Sequence, residues 1–205
     1  LSLKWFRDNF CGAEKDTAAL MDVDEYYLMD KEAETVPIGA ERLLYLPYLM
    51  GERTPHLDPD ARGVFFGLSA MHTKKHMLRA VMEGVAYSLR DCVEVFREMG
   101  INVSDMMACG GGGTSPLWRS MLADLYGCEV KTPASKEGPA LGAALLASVG
   151  AGIYGSVPEA VKAVVRTDKV CQPDSSRMER YDEFYSLYRE IYPALKDSFS
   201  RLATL

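Results

Sequence analysis

The 205-residue sequence has few of the features that mark membrane or secreted proteins. No apolar stretch reaches the roughly 18 residues of a membrane span, and the most apolar window, residues 140–152, is rich in Ala and Gly. The N-terminal LSLKWFRDNF lacks the basic and apolar regions of a signal peptide. We therefore expect no membrane partner. The sequence also does not begin with Met, so a fragment of a longer protein is one interpretation.

The cysteine pattern and the charge balance argue against several other classes of protein. The five cysteines are odd in number and include no CxxC pair, which argues against a disulfide framework or a zinc ribbon and favours a cytoplasmic location. Lys and Arg number 23 against 29 Asp and Glu, a net charge of -6, which argues against a nucleic-acid partner. A single phosphate site remains compatible, because backbone N–H groups bind anions without basic side chains.

The composition itself is typical of a globular domain. Hydrophobic residues make up 48% and charged residues 25% of the chain, and the length suits one large domain or two small ones. Strand–loop–helix units recur, with few short strands and many helices. This pattern predicts an α/β fold in which a short open sheet is flanked by helices.

Helix caps and hydrophobic periodicity place most of the elements. Thr73 and Gly100 bound a helix over residues 74–99, and Ser115 with Pro116 begins a helix that ends at Gly127. The other predictions are a buried strand in residues 43–49, a structured polar loop over 51–63, a strand entering a glycine loop over 103–113, a strand over 128–133, and helices over 24–34, 137–149, 157–165 and 176–202.

Two patterns that resemble sites have simpler explanations. His72 and His76 are four residues apart and share a helix face, but no HExxH motif or third ligand accompanies them, so a solvated helix start is favoured over a metal site. One apolar stripe at helical spacing is expected to face the core rather than a cofactor: Tyr181, Phe184, Tyr188, Ile191 and Tyr192.

A run of four glycines, Gly110 to Gly113, lies at a predicted strand-to-helix junction and is followed by Thr114 and Ser115. Glycines let the backbone approach a ligand, and the next helix supplies free N–H groups and the positive end of its dipole. A phosphate, a ribose or a nucleotide fits there. The run is neither a Walker A motif nor a dinucleotide fingerprint, so a tight turn without a ligand is the alternative.

Two further segments each allow more than one interpretation. The helix with the sequence GPALGAALLA has almost no side-chain bulk at its start, which favours close helix–helix packing over ligand contact or a hinge. The loop GERTPHLDPDARG holds closely spaced opposite charges. A salt-bridged surface loop is favoured there over a substrate clamp or a general base.

Several of these segments together resemble one family. GVFFGL (residues 63–68), followed after seven residues by HMLRAVME (76–83), resembles the second signature of the FGGY carbohydrate kinases. MACGGGGTS (107–115) is similar to the adenosine motif of the actin-like ATPase superfamily, and EGPALGAA (137–144) to its second connect motif. Residues 45–68 are similar to the xylulose-specific branch of the family.

The resemblance implies an actin-like ATPase (ribonuclease H-like) fold. Residues 1–205 would be the C-terminal, nucleotide-binding domain, and the N-terminal sugar-binding domain, with its phosphate-binding turn, would be missing from the chain. The catalytic aspartate is then expected upstream of Leu1. None of the aspartates in the present sequence lies in such a motif, so none is assigned as the base, and no metal ligand is assigned.

The resemblance also implies the reaction and the nucleotide contacts. The intact enzyme would transfer the γ-phosphoryl group of ATP, with Mg²⁺, to a ketopentose, converting D-xylulose to D-xylulose 5-phosphate. Gly110, Gly111 and Gly112 would let the backbone pass close to the nucleotide, and Thr114 and Ser115 are the candidates to hydrogen-bond adenosine. A homodimer is left open. The alternatives are another substrate of the same family (gluconate, ribulose or glycerol) and a non-catalytic actin-like interaction module.

Overall fold

The computed structural model describes residues 1–135 and 138–205. Within these ranges, helices and short strands follow in the order α1 (Ser2–Phe10), α2 (Gly12–Met21), α3 (Glu25–Glu34), β1 (Leu44–Leu46), β2 (Val64–Phe66), α4 (Lys74–Glu98), β3 (Asp105–Met107), a 3₁₀ helix (Gly111–Thr114), α5 (Pro116–Tyr126), β4 (Glu129–Pro133), α6 (Gly138–Gly150), α7 (Val157–Val164), β5 (Thr167–Cys171) and α8 (Ser175–Leu202).

The strands form two small sheets rather than the single open sheet that we expected. β1 and β2 pair antiparallel, with Leu44 opposite Phe66. β3 and β4 pair in parallel, and β5 adds antiparallel to the other edge of β4. The sequence did not predict β2 and β5: neither strand is fully buried, and the residues of β5 are mostly exposed and polar, so no apolar run marks it.

The core lies where α4 meets β1 on one side and α8 on another. β1 is fully buried, and a Cβ added at Gly84 of α4 would lie 2.1 Å from the carbonyl oxygen of Tyr45, so glycine lets the helix approach the strand closely. The predicted apolar stripe of α8 is buried in this core, which confirms that prediction.

The predicted helix boundaries are confirmed at both ends of α4 and α5. The ring of His76 accepts a hydrogen bond from the backbone N–H of Thr73 at 3.0 Å, which fixes the start of α4. Ser115 Oγ accepts from the backbone N–H of Trp118 at 3.0 Å, which caps α5. Gly100 and Gly127 follow the helices with φ of 77° and 61°, the left-handed conformation that favours glycine.

Two other expectations from the sequence concern membrane spans and the helix over residues 137–149. The described part of the chain contains no helix that is both long enough and apolar enough to cross a membrane. Glu137, the first residue of the predicted helix 137–149, lies outside the described residues, and α6 is described from Gly138 onward.

Candidate functional site

The glycine run forms a turn at one edge of the three-stranded sheet. We call residues 110–115 the glycine turn. β3 ends at Met107, the backbone N–H of Ala108 still donates to Lys131 of β4 at 2.8 Å, and the chain then passes through the 3₁₀ helix into α5. The turn therefore lies beyond the carboxyl ends of two parallel strands and at the N-terminus of a helix. Both features are typical of ligand sites in α/β proteins.

The four glycines divide into two pairs by their surroundings. A Cβ added at Gly110 or Gly111 would meet no other atom within 4 Å. A Cβ added at Gly112 would lie 2.0 Å from the ring of Trp118, and one at Gly113 would lie 2.6 Å from the carbonyl oxygen of Ala108. The first pair therefore leaves open surface, whereas the second pair is required by packing within the chain.

The two hydroxyl residues of the glycine turn already have hydrogen-bond partners within the chain. Thr114 Oγ1 donates to the carbonyl oxygen of Gly111 at 2.6 Å. Ser115 Oγ accepts the α5 capping bond, and its interaction with Asp30 opposes the rise that burial causes in the pKa of the Asp30 carboxyl. A ligand that bonds these hydroxyls would therefore share them with existing partners.

Two residues at this site were not predicted from the sequence. Asp30 comes from α3, far from Ser115 along the chain, so no local pattern could connect them. Arg119 lies in α5 and donates to the carbonyl oxygens of Gly113 and Thr114. The sequence could have indicated this contact, because Arg119 lies four residues after the N-cap. A helical side chain at that position points back toward the N-terminus.

The polar loop, residues 51–63, is structured as expected, but among the described residues it lacks the salt bridges that we favoured, and Glu52 and Arg62 bond to backbone groups of the loop instead. It is organised around Asp58, whose carboxylate accepts from the backbone N–H groups of Asp60 at 2.9 Å and Ala61 at 3.2 Å and from the hydroxyl of Tyr192 at 2.8 Å. The Tyr192 hydrogen bond is the main reason that the pKa of Asp58 is lowered. Because all of these bonds hold the ionised form, Asp58 is a structural anchor rather than an available base.

A cavity of about 270 Å³ lies between the polar loop, α4 and α8. The ring of His56 covers one side and stacks on Tyr192, with 3.9 Å between ring centroids. Asp91 lines another side and accepts from the hydroxyl of Tyr185 at 2.6 Å. Burial lowers the pKa of His56, with Asp91 acting in the opposite direction. The residues of the glycine turn do not line this cavity.

The described residues offer no cluster of three or more His, Cys, Asp or Glu side chains that could hold a metal ion. In the His72–His76 pair, the two ring centroids are 5.7 Å apart. The His72 ring contacts Ser69 and the carbonyl oxygen of Glu41, while His76 is used by the Thr73 cap. Both rings therefore have partners at the start of α4.

The small residues of α6 do not make the close helix–helix packing that we favoured. Within this chain, a Cβ added at Gly138 or Gly142 would meet nothing within 4 Å, and Leu145 is the one buried residue among those described in α6. α6 contacts α7 but leaves most of its apolar surface exposed. The glycines of α6 thus face open space instead of a neighbouring helix.

Comparison with known proteins gives one family over most of the chain. Residues 2–151 match the FGGY family of carbohydrate kinases, C-terminal domain. A xylulose kinase of Bacillus subtilis (strain 168) is 38% identical over 196 residues, which is 96% of this chain and 37% of that protein. A gluconokinase of Bacillus licheniformis is 36% identical over 202 residues, which is 98% of this chain and 39% of that protein.

The fold comparison agrees with the sequence comparison. The crystal structure of ligand-bound xylulose kinase from Lactobacillus acidophilus superposes with a TM-score of 0.84 at 30% identity, covering 98% of this chain and 39% of that chain. The predicted actin-like α/β fold is therefore confirmed. The present chain spans well under half the length of these relatives.

Proposed function

Because this chain belongs to the FGGY family of carbohydrate kinases, we propose that it is the nucleotide-binding half of an ATP-dependent kinase that converts D-xylulose to D-xylulose 5-phosphate. The observation that carries the proposal is the family match over residues 2–151, together with the similarity to xylulose kinases in both sequence and fold. The relatives named above are phosphotransferases, which favours an enzyme over a non-catalytic interaction module.

The glycine turn is the proposed nucleotide contact. Gly110 and Gly111 have open space where a side chain would stand, so their backbone is accessible to a ligand. Gly112 follows in the same turn and is also a proposed nucleotide contact. A side chain there would collide with the Trp118 ring, so packing alone already requires glycine at this position. The positive end of the α5 dipole favours an anionic group in front of the turn, although Pro116 has no N–H group and the N–H of Trp118 already donates to Ser115 Oγ. Thr114 and Ser115 are the proposed adenosine contacts.

The catalytic base is proposed to lie in the sugar-binding domain, outside these residues. The buried aspartates of the described residues have partners: Asp58 accepts from Tyr192, Asp91 from Tyr185, and Asp124 pairs with Arg177 at 2.6 Å. Mg²⁺, which the family resemblance implies, finds no cluster of carboxylates or histidines in the described residues. It would be held by the phosphates and by groups outside these ranges.

This division of labour suits phosphoryl transfer, whose catalysis depends mainly on positioning and on stabilising charge. The present residues would hold one side of the nucleotide in a fixed orientation. The second domain would bind the sugar and provide the catalytic base. Closure of the cleft between the two domains would exclude water. The role of this chain is therefore binding and orientation rather than proton transfer.

Gluconate is the second candidate substrate. The specific observation in its favour is the gluconokinase similarity of 36% over 98% of this chain, close to that of the xylulose kinase. Most sugar contacts are expected in the other domain, so the present residues discriminate weakly between the two sugars. Xylulose is favoured because the identity to the xylulose kinase, 38%, is slightly higher than the 36% identity to the gluconokinase.

The test is a sugar panel on the complete protein, meaning this chain with whatever precedes Leu1 in its gene. ADP release from ATP is measured with D-xylulose, gluconate, ribulose and glycerol, and a reaction without sugar is the control for ATP hydrolysis. The highest kcat/KM with D-xylulose supports the proposal. A higher value with another sugar overturns the substrate assignment, and no sugar-dependent ADP release overturns the kinase assignment.

A further inference from the structure

We propose that Arg119 is a positioning residue of the glycine turn whose buried, unpaired charge makes the turn prefer an anionic nucleotide over the neutral nucleoside. This inference rests on the proposed nucleotide site. It concerns a residue of α5 that no sequence motif identified as part of that site.

Arg119 holds the glycine turn through its backbone. One terminal nitrogen of the guanidinium donates to the carbonyl oxygen of Gly113 at 2.6 Å and to that of Thr114 at 2.9 Å. Both carbonyl groups belong to the segment where the 3₁₀ helix passes into α5. The side chain therefore fixes the orientation of these two peptide groups and, with them, the backbone path of the glycine turn.

The charge of Arg119 has no anionic partner in the part of the chain that the structure describes. The residue is only 5% exposed, and its buried Nε atom makes no hydrogen bond. Arg79, which is similarly buried, is paired with Glu83 at 2.6 Å. An arginine remains protonated even when it is buried, so it cannot avoid the cost of desolvation by losing its proton. Among the described residues, the protein thus keeps a cation without a carboxylate partner next to the glycine turn.

The position of Arg119 within α5 adds to this positive potential. It is the fourth residue after the cap Ser115, in the first turn of the helix, where the helix dipole already carries its positive end. A cation is unfavourable at that place unless an anion lies nearby. Two partial negative charges, on the carbonyl groups of Gly113 and Thr114, offset it only in part. A bound diphosphate would supply the missing negative charge.

A purely structural role and the proposed role predict different ligand preferences. If Arg119 only stabilised the turn, its loss would change the shape of the turn and weaken the binding of adenosine and of ADP equally. A charge that acts on the ligand would weaken ADP alone, because adenosine has no anionic group. The ratio of the two affinities therefore separates the roles, and it does not depend on the fraction of protein that is folded, since both ligands are measured on one preparation.

The experiment compares three variants of the complete protein by calorimetric titration with ADP and with adenosine, without divalent cations. Arg119→Gln keeps an N–H donor and removes the charge, and Arg119→Lys keeps the charge. Arg177→Gln is the matched control, because Arg177 pairs with Asp124 near the opposite end of α5. We expect R119Q to lower the ADP-to-adenosine affinity ratio roughly tenfold. R119K should keep the ratio within about twofold and R177Q should leave it unchanged.

Each other result has a defined meaning. An unchanged ratio in R119Q overturns the proposal, whether or not both affinities fall. A lost ADP preference in R119K also overturns it, and this variant decides the question if R119Q does not fold. An unmutated protein that binds neither ligand would instead overturn the nucleotide site on which the inference rests.

Discussion

Arg79 and Glu83 form an ion pair inside the core, with 2.6 Å between Arg79 Nε and Glu83 Oε1. The Glu83 carboxylate also accepts from the backbone N–H of Gly39 at 3.0 Å, and Arg79 donates to the hydroxyl of Tyr181 at 2.9 Å. The last residue of the FGGY signature segment therefore joins α4 to the turn before β1, and its partner Arg79 joins α4 to α8. In this chain the Arg79–Glu83 pair therefore stabilises the fold.

The turn that Glu83 holds has an unusual backbone. Gly39, Ala40, Glu41 and Arg42 all have φ between 46° and 81°, so three residues with side chains adopt the left-handed conformation in succession. Such residues cost energy that the surroundings must offset. Here the offset comes from the Glu83 hydrogen bond and from the complete burial of Ala40.

We expect Glu83→Ala to destabilise the protein by about 3–5 kcal/mol, because it leaves Arg79 charged and unpaired in the core and frees the Gly39 turn. Urea unfolding followed by circular dichroism measures this. The control is Glu94→Ala, which removes a partly exposed carboxylate that pairs with Arg90 and Arg97 and should cost less than about 1 kcal/mol. Equal effects in the two variants would contradict a special role for the buried pair.

The two pairs of glycines in the glycine turn should respond differently to substitution. Gly111→Val places a side chain in open space in front of the turn, so the unfolding energy should hardly change, while the KM for ATP should rise roughly tenfold and the KM for the sugar should stay. Gly112→Ala forces the Trp118 ring to move and should destabilise the fold by about 1–3 kcal/mol. Kinetics and urea unfolding of both variants check this. A parallel rise of both KM values in G111V would count against a nucleotide contact.

Mild acid should weaken the fold partly through His56. Burial lowers the pKa of His56, so the unfolded chain, with a His pKa of about 6.5, takes up the proton more readily. The contribution to stability is thus complete above about pH 6.5 and is lost as the pH falls through the lower pKa of the folded state.

The measurement is the unfolding free energy at pH 7.5 and 5.5 for the unmutated protein and for His56→Phe, which keeps a ring against Tyr192. The loss on acidification should be smaller in H56F by up to about 1 kcal/mol. Between pH 7.5 and 8.5, where His56 is neutral in both states, the two proteins should show the same change. An equal loss at pH 5.5 would exclude His56 as the titrating group.

Local sequence signals were sufficient for the long helices and for β1 and β4. Thr73 and Ser115 mark helix starts by their side-chain chemistry, and the apolar spacing of α4 and α8 gives their buried faces directly. β2 and β5 escaped prediction because short strands that are partly exposed are fixed by backbone pairing with a distant segment. The same pairing divides the strands into two sheets.

The candidate site was predictable only where it is local in sequence. The glycine turn is one continuous segment, so its glycines and its helix cap were visible as a pattern. Asp30 comes from α3, and its approach to Ser115 depends on how the helices pack. The distinction between open and packed glycines likewise depends on Trp118 and Ala108, whose positions only the folded chain defines.

The last prediction concerns the 205-residue chain by itself, which we expect to fold but not to transfer a phosphoryl group. One continuous apolar core includes residues from α1, α3, β1, α4, α5, β4 and α8, so we expect folding not to depend on another chain segment. We expect catalysis to require more than this chain, because the base and the opposite wall of the cleft are proposed to lie in a separate sugar-binding domain. A general base alone typically contributes about 10²–10⁴ in rate, and positioning by a closed cleft can contribute roughly 7–11 kcal/mol.

The measurement is a coupled assay of the purified chain with ATP, Mg²⁺ and D-xylulose, beside a circular dichroism spectrum. A folded spectrum with ADP release no higher than in the reaction without sugar is the expected result. The complete protein, assayed in parallel, is the positive control and separates a missing domain from a wrong substrate. Sugar-dependent turnover that co-purifies with the 205-residue chain would place the base within these residues. In that case Asp58, Asp91 or Asp124 would have to leave its present partner during the reaction, and the proposed division between the two domains would be wrong.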